Sequence, residues 1–197
     1  MEPVIFLDRD GTMNEEVNYL HRPEDLRILP GVPEAVRMWN ERGYRVVVVT
    51  NQAGVARGYY TEADVEILHE YLNRQLEKKG AHVDHFFYCP HHPEYGIGEY
   101  KKECRCRKPQ TGMFEMAEAY YQVDKSRSFM VGDKLIDVEA GKNYGIRGIL
   151  VGTGYGAGER DRAKLEETSK GKELPYVFYA EDLMGAARYI IEGEQHE

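Results

Sequence analysis

The sequence predicts an α/β protein with a doubly wound, mostly parallel sheet, organised as one domain over residues 1–197. Short apolar runs rich in Val, Ile and Phe recur along the chain, and amphipathic helical patterns separate them. The runs are almost continuously apolar, which is typical of strands buried on both faces of a parallel sheet. Strands that alternate with helices indicate a doubly wound sandwich. The chain shows no internal repeat and no linker that would indicate a second domain.

The apolar runs and the helical patterns can be placed along the chain. The predicted strands are residues 4–7, 46–49, 85–88, 129–131 and 149–151, and the predicted helices are residues 33–42, 62–79, 112–121, 138–144 and 183–191. The helix from residue 62 has Thr61 as its expected N-cap and Asp64 in capping-box position. Residues 152–175 are glycine-rich and then charged, so we expect a surface loop there with one helical turn at most.

Composition and charge narrow the class of protein. The net charge of −8 argues against a nucleic acid or a membrane surface as a general partner, since both are polyanionic. The sequence shows no signal peptide and no apolar run near the roughly 20 residues that span a bilayer. We therefore expect a cytoplasmic protein that acts on a small molecule, with a monomer as the default state. Three cysteines, an odd number, indicate reduced thiols or a metal site.

The first predicted strand ends in the motif Asp8-Arg9-Asp10-Gly11-Thr12. Taken alone, this segment is also compatible with a solvated acidic turn. An aliphatic run that ends in D-x-D-G-T resembles the signature of the haloacid dehalogenase superfamily, which implies phosphoryl transfer on a Rossmann-like core. Asp8 is then the nucleophile that forms an aspartyl-phosphate, and Asp10 is the general acid and base. Gly11 permits the tight turn that brings the two carboxylates together.

Three further polar segments, which hold Thr50, Lys108 and Asp133, follow predicted strands in the order that this superfamily has. Thr50, Asn51 and Gln52 end the second strand, and their hydroxyl and amide groups can donate to phosphoryl oxygens, although a helix cap or an Asx turn explains this segment equally well. Lys108 offsets the charge of Asp8 and phosphate. Because ligands of such sheets bind beyond the carboxyl ends of the strands, we expect these side chains to meet there.

The same resemblance implies a magnesium site. Mg²⁺ prefers oxygen ligands and keeps several waters, so a few carboxylates suffice to hold it. The expected ligands are Asp8, the backbone carbonyl of Asp10, and Asp133, which follows the fourth strand. Asp137 is either an outer-shell carboxylate or the N-cap of the following helix, and we favour the cap.

The cysteines predict a second, structural metal site. Cys89 and His91 form one C-x-H pair, and Cys104 and Cys106 form a C-x-C pair. Three thiolates and one imidazole suit tetrahedral Zn²⁺, and together they define a zinc loop, residues 89–106. His92 is the competing histidine; we prefer His91 because its spacing mirrors that of the second pair. The alternative is three unpaired thiols beside a chance histidine.

The spacing of the motifs leaves little room for a separate cap domain, so loops are expected to recognise the substrate. The segments 50–52, 56–58 and 89–93 look like those of heptose bisphosphate phosphatases. That resemblance implies hydrolysis of the 7-phosphate of D-glycero-D-manno-heptose 1,7-bisphosphate, on the route to ADP-heptose or GDP-heptose. Histidinol-phosphate phosphatases, which share the zinc arrangement, are the alternative. A zinc-stabilised binding module without catalysis is a third, although all the expected catalytic residues are present.

Candidate substrate contacts come from charge and from the same family resemblance. Arg107 and Lys134 are candidates for a second phosphate, at a distance from Asp8. By resemblance, the loop that contains Glu16 and Tyr19 contacts the sugar. Histidinol phosphate is partly cationic and would favour carboxylates such as Glu15 or Glu16. The predicted substrate-binding set is Glu16, Tyr19, Asn51, Gln52, Arg107 and Lys134.

Overall fold

The computed structural model describes residues 1–194, and its centre is a six-stranded sheet in the order β3-β2-β1-β4-β5-β6. All five strand pairings are parallel, which confirms the predicted sheet. The strands are β1 Val4–Leu7, β2 Arg45–Asn51, β3 His85–Cys89, β4 Phe129–Gly132, β5 Arg147–Val151 and β6 Phe178–Ala180.

Seven helices connect and follow the strands over the described residues. They are α1 Val32–Glu41, α2 Ala53–Ala56, α3 Glu62–Glu77, α4 Gly112–Ala117, α5 Leu135–Tyr144, α6 Gly156–Lys170 and α7 Leu183–Glu194. Residues 8–44, between β1 and β2, hold only α1, a short 3₁₀ turn and loops. The described chain therefore has no separate cap domain at this point.

Helices cover the sheet on both faces, as a doubly wound fold requires. Successive side chains of a strand point to opposite faces, so the central strands divide between two clusters. Ile5 and Leu7 pack with Val36 and Trp39 of α1 and with buried residues of α3 and α7. On the other face, Phe6 packs among buried residues of α4 and α5. This explains why the interior positions of the central strands are apolar on both faces.

The segment after β5 departs from the sequence prediction. Residues 152–175 were expected to form a surface loop, which is wrong, because α6 occupies fifteen of them. Only Gly156 and Ala163 of this helix are buried, so it has no apolar stripe that a sequence pattern would detect. The short edge strand β6 was also not predicted.

The other predicted helices exist with shifted ends. Helix α3 begins after the expected N-cap, since Thr61 Oγ1 accepts from the Asp64 backbone N–H at 3.2 Å and the Asp64 carboxylate accepts from Thr61 N at 2.7 Å. Helix α4 ends four residues before the predicted boundary at Tyr121, and α5 begins three residues earlier than predicted. No helix within residues 1–194 is long and apolar enough to cross a bilayer.

Candidate active site

The carboxyl ends of the central strands open into one cavity of about 320 Å³. The register pairs Leu7 with both Val48 and Val131, so the residues that follow β1, β2 and β4 emerge side by side. All ten residues predicted as catalytic or substrate-binding line this cavity: Asp8, Asp10, Glu16, Tyr19, Thr50, Asn51, Gln52, Arg107, Lys108 and Lys134. Residues up to 126 positions apart in the sequence thus meet in one place.

Lys108 is a buried cation at the centre of the site. Its ammonium lies 2.8 Å from Asp8 Oδ1, 2.7 Å from Asp137 Oδ1 and 2.7 Å from the Val49 carbonyl oxygen, so three acceptors take its three protons. Burial alone would lower the pKa of Lys108, but Asp137 and Asp8 outweigh it and raise that pKa. Lys108 is therefore held as a cation against Asp8.

The backbone of Lys108 is fixed by a side chain from β2. Asn51 Oδ1 accepts from Lys108 N at 3.0 Å, and Asn51 Nδ2 donates to the Lys108 carbonyl at 3.2 Å. The side-chain amide thus bonds both the backbone N–H and the backbone carbonyl of Lys108, as a neighbouring strand would. Asn51 therefore ties the end of β2 to the segment that carries Lys108.

Asp10 is held by three donor side chains. Arg9 approaches both carboxylate oxygens, with Nη2 2.9 Å from Oδ2 and Nε 3.1 Å from Oδ1. Asn14 donates to Oδ1 at 3.0 Å, and Gln52 donates to Oδ2 at 3.1 Å. Burial alone would raise the pKa of Asp10, but Arg9 and these hydrogen bonds bring it below the ordinary value. The carboxylate is fixed in orientation as well as in charge.

Gln52 and Thr50 complete this network. Gln52 Nε2 also donates to Thr50 Oγ1 at 2.9 Å, while Gln52 Oε1 accepts from the Tyr60 hydroxyl at 2.8 Å. Burial raises the pKa of Tyr60 to about 12, so this phenol stays protonated and serves as a donor. The amide of Gln52 is bonded at both ends and orders the cavity wall.

Asp8 belongs to a cluster of three buried carboxylates. Asp8, Asp133 and Asp137 each offer an oxygen within 4.8 Å of the others. Burial first, and then the charges of Asp8 and Asp137, raise the pKa of Asp133 to about 8. Asp133 Oδ1 is fully buried and has no hydrogen-bond partner in the protein. Clustered oxygens, excess negative charge and an unpaired buried oxygen fit a hard divalent cation such as Mg²⁺.

Two glycines shape the space around Asp133. A Cβ on Gly11 would lie 2.3 Å from Asp133 Oδ2, and a Cβ on Gly154 would lie 2.2 Å from the same oxygen. Both glycines have positive φ, +82° and +56°. Asp133 Oδ2 accepts from the backbone N–H of Tyr155 at 2.9 Å. The turn between β5 and α6 is therefore part of the carboxylate site.

Asp137 lies in the carboxylate cluster with Asp8 and Asp133, which is compatible with the outer-shell position considered from the sequence. The prediction that it is the N-cap of its helix is wrong, because Lys134 is the N-cap of α5. Asp137 is the third helical residue, and its Oδ2 accepts the Lys134 backbone N–H at 3.0 Å. Its other oxygen pairs with Lys108. The Asp137 carboxylate thus caps the start of α5 and also fixes the position of Lys108.

The cysteines and one histidine converge beside the cavity. Cys89, His91, Cys104 and Cys106 place their ligand atoms within 4.8 Å of one another. Three sulfurs and one imidazole nitrogen are the donor set of a structural zinc site. His92 faces elsewhere, since its Nδ1 accepts from the backbone N–H groups of Glu94 and Tyr95 at 3.2 and 3.1 Å. The structure therefore favours His91 over His92 as the fourth ligand.

The mouth of the cavity is formed by two loops. Lys134 Nζ lies 3.3 Å from Glu16 Oε2, and the Lys134 ammonium also lies over the Tyr155 ring at 4.8 Å. Tyr19 follows in the same loop with φ at +60°, an uncommon conformation for a residue with a side chain. Arg107 donates to the His91 carbonyl at 3.2 Å, which joins it to the zinc loop. Opposite charges thus face one another across the opening.

Sequence reasoning missed the residues that hold the predicted catalytic residues in place. Arg9 was treated as the variable position of its motif, yet it is completely buried against Asp10. His69 was not singled out from the sequence, yet it is 4% exposed and contacts Arg9. The signal was present for His69, because it lies one residue from Leu68 and three from Leu72 on the apolar face of the helix.

Comparison with known proteins places the chain among phosphatases. Residues 105–183 match a hydrolase-like family model described as HAD-hydrolase-like. A D-glycero-β-D-manno-heptose-1,7-bisphosphate 7-phosphatase of Haemophilus ducreyi is 42% identical over 178 residues, which cover 88% of this chain and 97% of that protein. A Photorhabdus laumondii relative named for the α anomer is 43% identical over 157 residues, covering 79% of this chain and 86% of its own.

Solved structures agree with the sequence relatives. A D,D-heptose 1,7-bisphosphate phosphatase from B. bronchiseptica, complexed with magnesium and phosphate, superimposes with a TM-score of 0.82 at 32% identity, covering 97% of this chain and 99% of that one. The D,D-heptose 1,7-bisphosphate phosphatase of Burkholderia thailandensis gives a TM-score of 0.67 at 29% identity, covering 96% and 99%. The chain belongs to the heptose-1,7-bisphosphate 7-phosphatase family of haloacid dehalogenase-like hydrolases.

Proposed function

We propose that this protein is a magnesium-dependent phosphatase that removes the 7-phosphate of D-glycero-D-manno-heptose 1,7-bisphosphate. The observation that carries the proposal is the placement of Asp8 between the buried Lys108 cation and Asp133, with Asp10 lining the same cavity. Phosphoryl transfer needs positioning and charge neutralisation more than covalent machinery, and this arrangement offers both. The relatives named above support the choice of substrate.

The first half of the reaction is the transfer of the phosphoryl group to Asp8. A carboxylate oxygen of Asp8 attacks phosphorus, and the bond between phosphorus and the C7 oxygen of the sugar breaks. Asp10 gives its proton to that leaving oxygen, so the sugar departs as a neutral alcohol. The ammonium of Lys108 limits the build-up of negative charge beside Asp8.

The second half regenerates the enzyme. Asp10, now ionised, accepts a proton from a water molecule as that water attacks the phosphorus of the aspartyl-phosphate. The bond between phosphorus and Asp8 breaks, and inorganic phosphate leaves. One carboxyl group thus serves as acid and then as base, and the donors on Asp10 keep it in one place for both steps.

Asp8, Asp133 and the backbone carbonyl of Asp10 are the proposed protein ligands of Mg²⁺. Asp137 lies within the same cluster and sets the position of Lys108 next to it. When bound, the ion supplies positive charge to phosphoryl oxygens and fixes their orientation. Its charge also offsets the desolvation that makes ionised Asp133 unfavourable in the free protein.

Cys89, His91, Cys104 and Cys106 are the proposed ligands of a structural Zn²⁺. The loop that they close contains few apolar residues, so metal ligation is its main source of order. Cys106 lies two residues before Lys108, and Arg107 between them donates to the His91 carbonyl. We therefore assign zinc an indirect role, which is to fix the segment that presents Arg107 and Lys108.

Arg107 and Lys134 are the proposed contacts of the second phosphate. Both are cations that line the same cavity as Asp8. Glu16, which pairs with Lys134 in the free protein, gives way to the phosphate when the substrate binds. Glu16 and Tyr19 then face the sugar, as the loop position suggests.

The test is phosphate release by the purified, magnesium-loaded protein. The substrates are the α and β anomers of the heptose bisphosphate and histidinol phosphate at matched concentrations. We expect kcat/KM for the preferred heptose anomer to exceed that for histidinol phosphate by at least about 10²-fold, because the second phosphate is recognised only in the bisphosphate. ³¹P NMR should show that the C1 phosphate remains on the product. Preferential hydrolysis of histidinol phosphate would refute the assignment.

A further inference from the structure

His69 is a buried histidine that the reaction described above does not use. It lies on α3, 4% exposed, and it does not line the cavity. Its ring stacks on Phe86 at a centroid distance of 4.6 Å. Its Nε2 lies 3.2 Å from Nη1 of Arg9, across 60 residues of sequence. This contact joins the interior of α3 to the catalytic motif.

Arg9 lies between His69 and Asp10, and it is completely buried. The Nε and Nη2 atoms bind the Asp10 carboxylate, and Nη2 also reaches the Leu20 carbonyl and Gln52 Oε1 at 3.2 and 3.3 Å. The contact of Nη1 in the described structure is with His69. The guanidinium plane is rigid, so fixing Nη1 at one corner fixes the two nitrogens that face Asp10.

The histidine must accept this hydrogen bond. Arginine has donors only and stays charged, so the Nε2 atom of His69 carries its lone pair toward Arg9 and the imidazole is neutral. Burial and the charge of Arg9 lower the pKa of His69 well below its ordinary value, in agreement with that tautomer. The acceptor is thus present throughout the neutral pH range.

We propose that His69 is a positioning residue for proton transfer at Asp10 and that it acts through Arg9. The inference rests on the proposed function, in which Asp10 is the acid and the base. Loss of the acceptor leaves a buried guanidinium N–H without a partner, a costly state that a rotation of Arg9 relieves. Such a rotation gives up the two-point contact with the Asp10 carboxylate. The expected defect is in proton transfer and not in substrate binding.

The test uses two substitutions and a substrate whose leaving group needs no proton. His69→Leu removes the acceptor, and His69→Gln keeps a neutral one. With p-nitrophenyl phosphate, p-nitrophenolate leaves without help, so formation of the aspartyl-phosphate does not depend on Asp10 as an acid. Its hydrolysis still requires Asp10 as a base. Rapid mixing separates the two steps as a burst of p-nitrophenolate followed by steady-state release.

For His69→Leu we expect a burst close to one equivalent per enzyme, with a rate within about twofold of the wild-type phosphorylation step. Steady-state turnover should fall at least about 10-fold, with KM changed by less than about twofold. His69→Gln should recover most of the steady-state rate. The result that overturns the proposal is a burst and a steady-state rate that fall together, or a His69→Leu enzyme with wild-type kinetics.

Two control variants separate this proposal from instability and from failure of the proposed function. Leu72→Ala removes core packing one turn further along α3 without touching the network, so it should lower Tm and leave the ratio of burst rate to steady-state rate unchanged. Asp10→Asn should show the His69→Leu signature in stronger form. An Asp10→Asn enzyme with wild-type kinetics would refute the role of Asp10 as acid and base, and with it the proposed function. A defective Asp10→Asn enzyme beside an unaffected His69→Leu enzyme would refute only the role of His69.

Discussion

Two aspartates that stand two residues apart receive opposite environments. Asp8 forms an ion pair with Lys108 and shares its space with two other carboxylates. Asp10 is surrounded by donors, and its pKa lies below the ordinary value despite burial. In the free enzyme Asp10 is therefore ionised. The negative charge of an incoming phosphoryl group raises the pKa of a nearby carboxyl, which favours the protonated form that the first step needs.

The first prediction concerns Asp8→Asn. The amide is nearly isosteric but not nucleophilic, so turnover should fall by at least about 10³-fold. The fold should persist, because Lys108 keeps its contacts with Asp137 and the Val49 carbonyl, and one like-charge repulsion with Asp133 disappears. Steady-state kinetics, circular dichroism and thermal unfolding of the magnesium-free protein measure these effects. Turnover near the wild-type rate would exclude Asp8 as the nucleophile.

At the scale of elements, the zinc loop is tied to the catalytic segment at its end. Cys104 and Cys106 precede Lys108 closely, and Lys108 is fixed from β2 by Asn51. Disorder in the zinc loop would reach Lys108 through the preceding residues of the chain. The hydrogen bonds of Asn51 to the Lys108 backbone would still hold Lys108 against the end of β2. Loss of zinc should weaken catalysis without abolishing it.

The second prediction separates the two adjacent histidines of this loop. His91→Ala removes a ligand and should reduce the bound zinc, while kcat/KM falls about 10-fold through displacement of Arg107 and Lys108. His92→Ala, the matched control, loses only hydrogen bonds to the loop backbone and should retain one equivalent of zinc. Zinc is measured by elemental analysis of the purified variants. Loss of zinc from His92→Ala alone would reverse the assignment.

The elements that sequence patterns predicted are those whose pattern reflects burial. The central strands are apolar on both faces, and α3 has a clear apolar stripe, so their existence and approximate bounds were predictable. Helix α6 was missed because it buries almost nothing; its Leu165 is 68% exposed. Strand β6 has three residues, too few for a periodic signal. Its pairing with β5 depends on the rest of the sheet.

The residues of the candidate site also divide into those that the sequence predicted and those that it did not. Asp8, Thr50 and Asp133 were predictable because each lies at a strand end within a motif, and parallel strands bring such positions together. Lys108 was predictable from its motif alone. The sequence did not predict the roles of Arg9 and His69 or the contact of Asp137 with Lys108. Their partners are distant in sequence, and nothing in a local pattern states which buried charges will meet. Tertiary packing decides those contacts, and they are the ones that orient the catalytic groups.

At the scale of the whole molecule, the protein carries a net charge of −8 and concentrates three buried carboxylates beside two lysines, Lys108 and Lys134. Burial raises the pKa of Asp133 to about 8 and that of Asp137 to about 6. Raised carboxyl pKa values mean that the folded, magnesium-free protein binds protons which the unfolded chain has already released. The site therefore opposes folding as the pH rises, unless a cation neutralises it.

The third prediction is that stability of the magnesium-free, zinc-loaded protein falls between about pH 6.5 and 8. An unfolded Asp, with its pKa near 3.8, is ionised throughout this window, whereas folded Asp133 still holds a proton until about pH 8. Folding thus takes up a proton, and the free energy of unfolding decreases with rising pH, by at most about 1.4 kcal/mol per pH unit for one group. Below this window, the ionisation of Asp137 at about pH 6 has the same sign.

Magnesium should remove this pH dependence, because the ion binds the deprotonated carboxylates and competes with the proton. The increase in Tm on adding Mg²⁺ should therefore grow from pH 6.5 to 8, beyond the constant term expected from mass action alone. Asp133→Asn is the matched control: without the titrating group, the magnesium-free Tm should be nearly flat over the same range. Thermal unfolding across the pH series, with zinc retained by dialysis instead of chelation, measures both effects. A magnesium-free Tm that rises with pH would mean that Asp133 is already ionised in the free enzyme, and the electrostatic account of the metal site would fail.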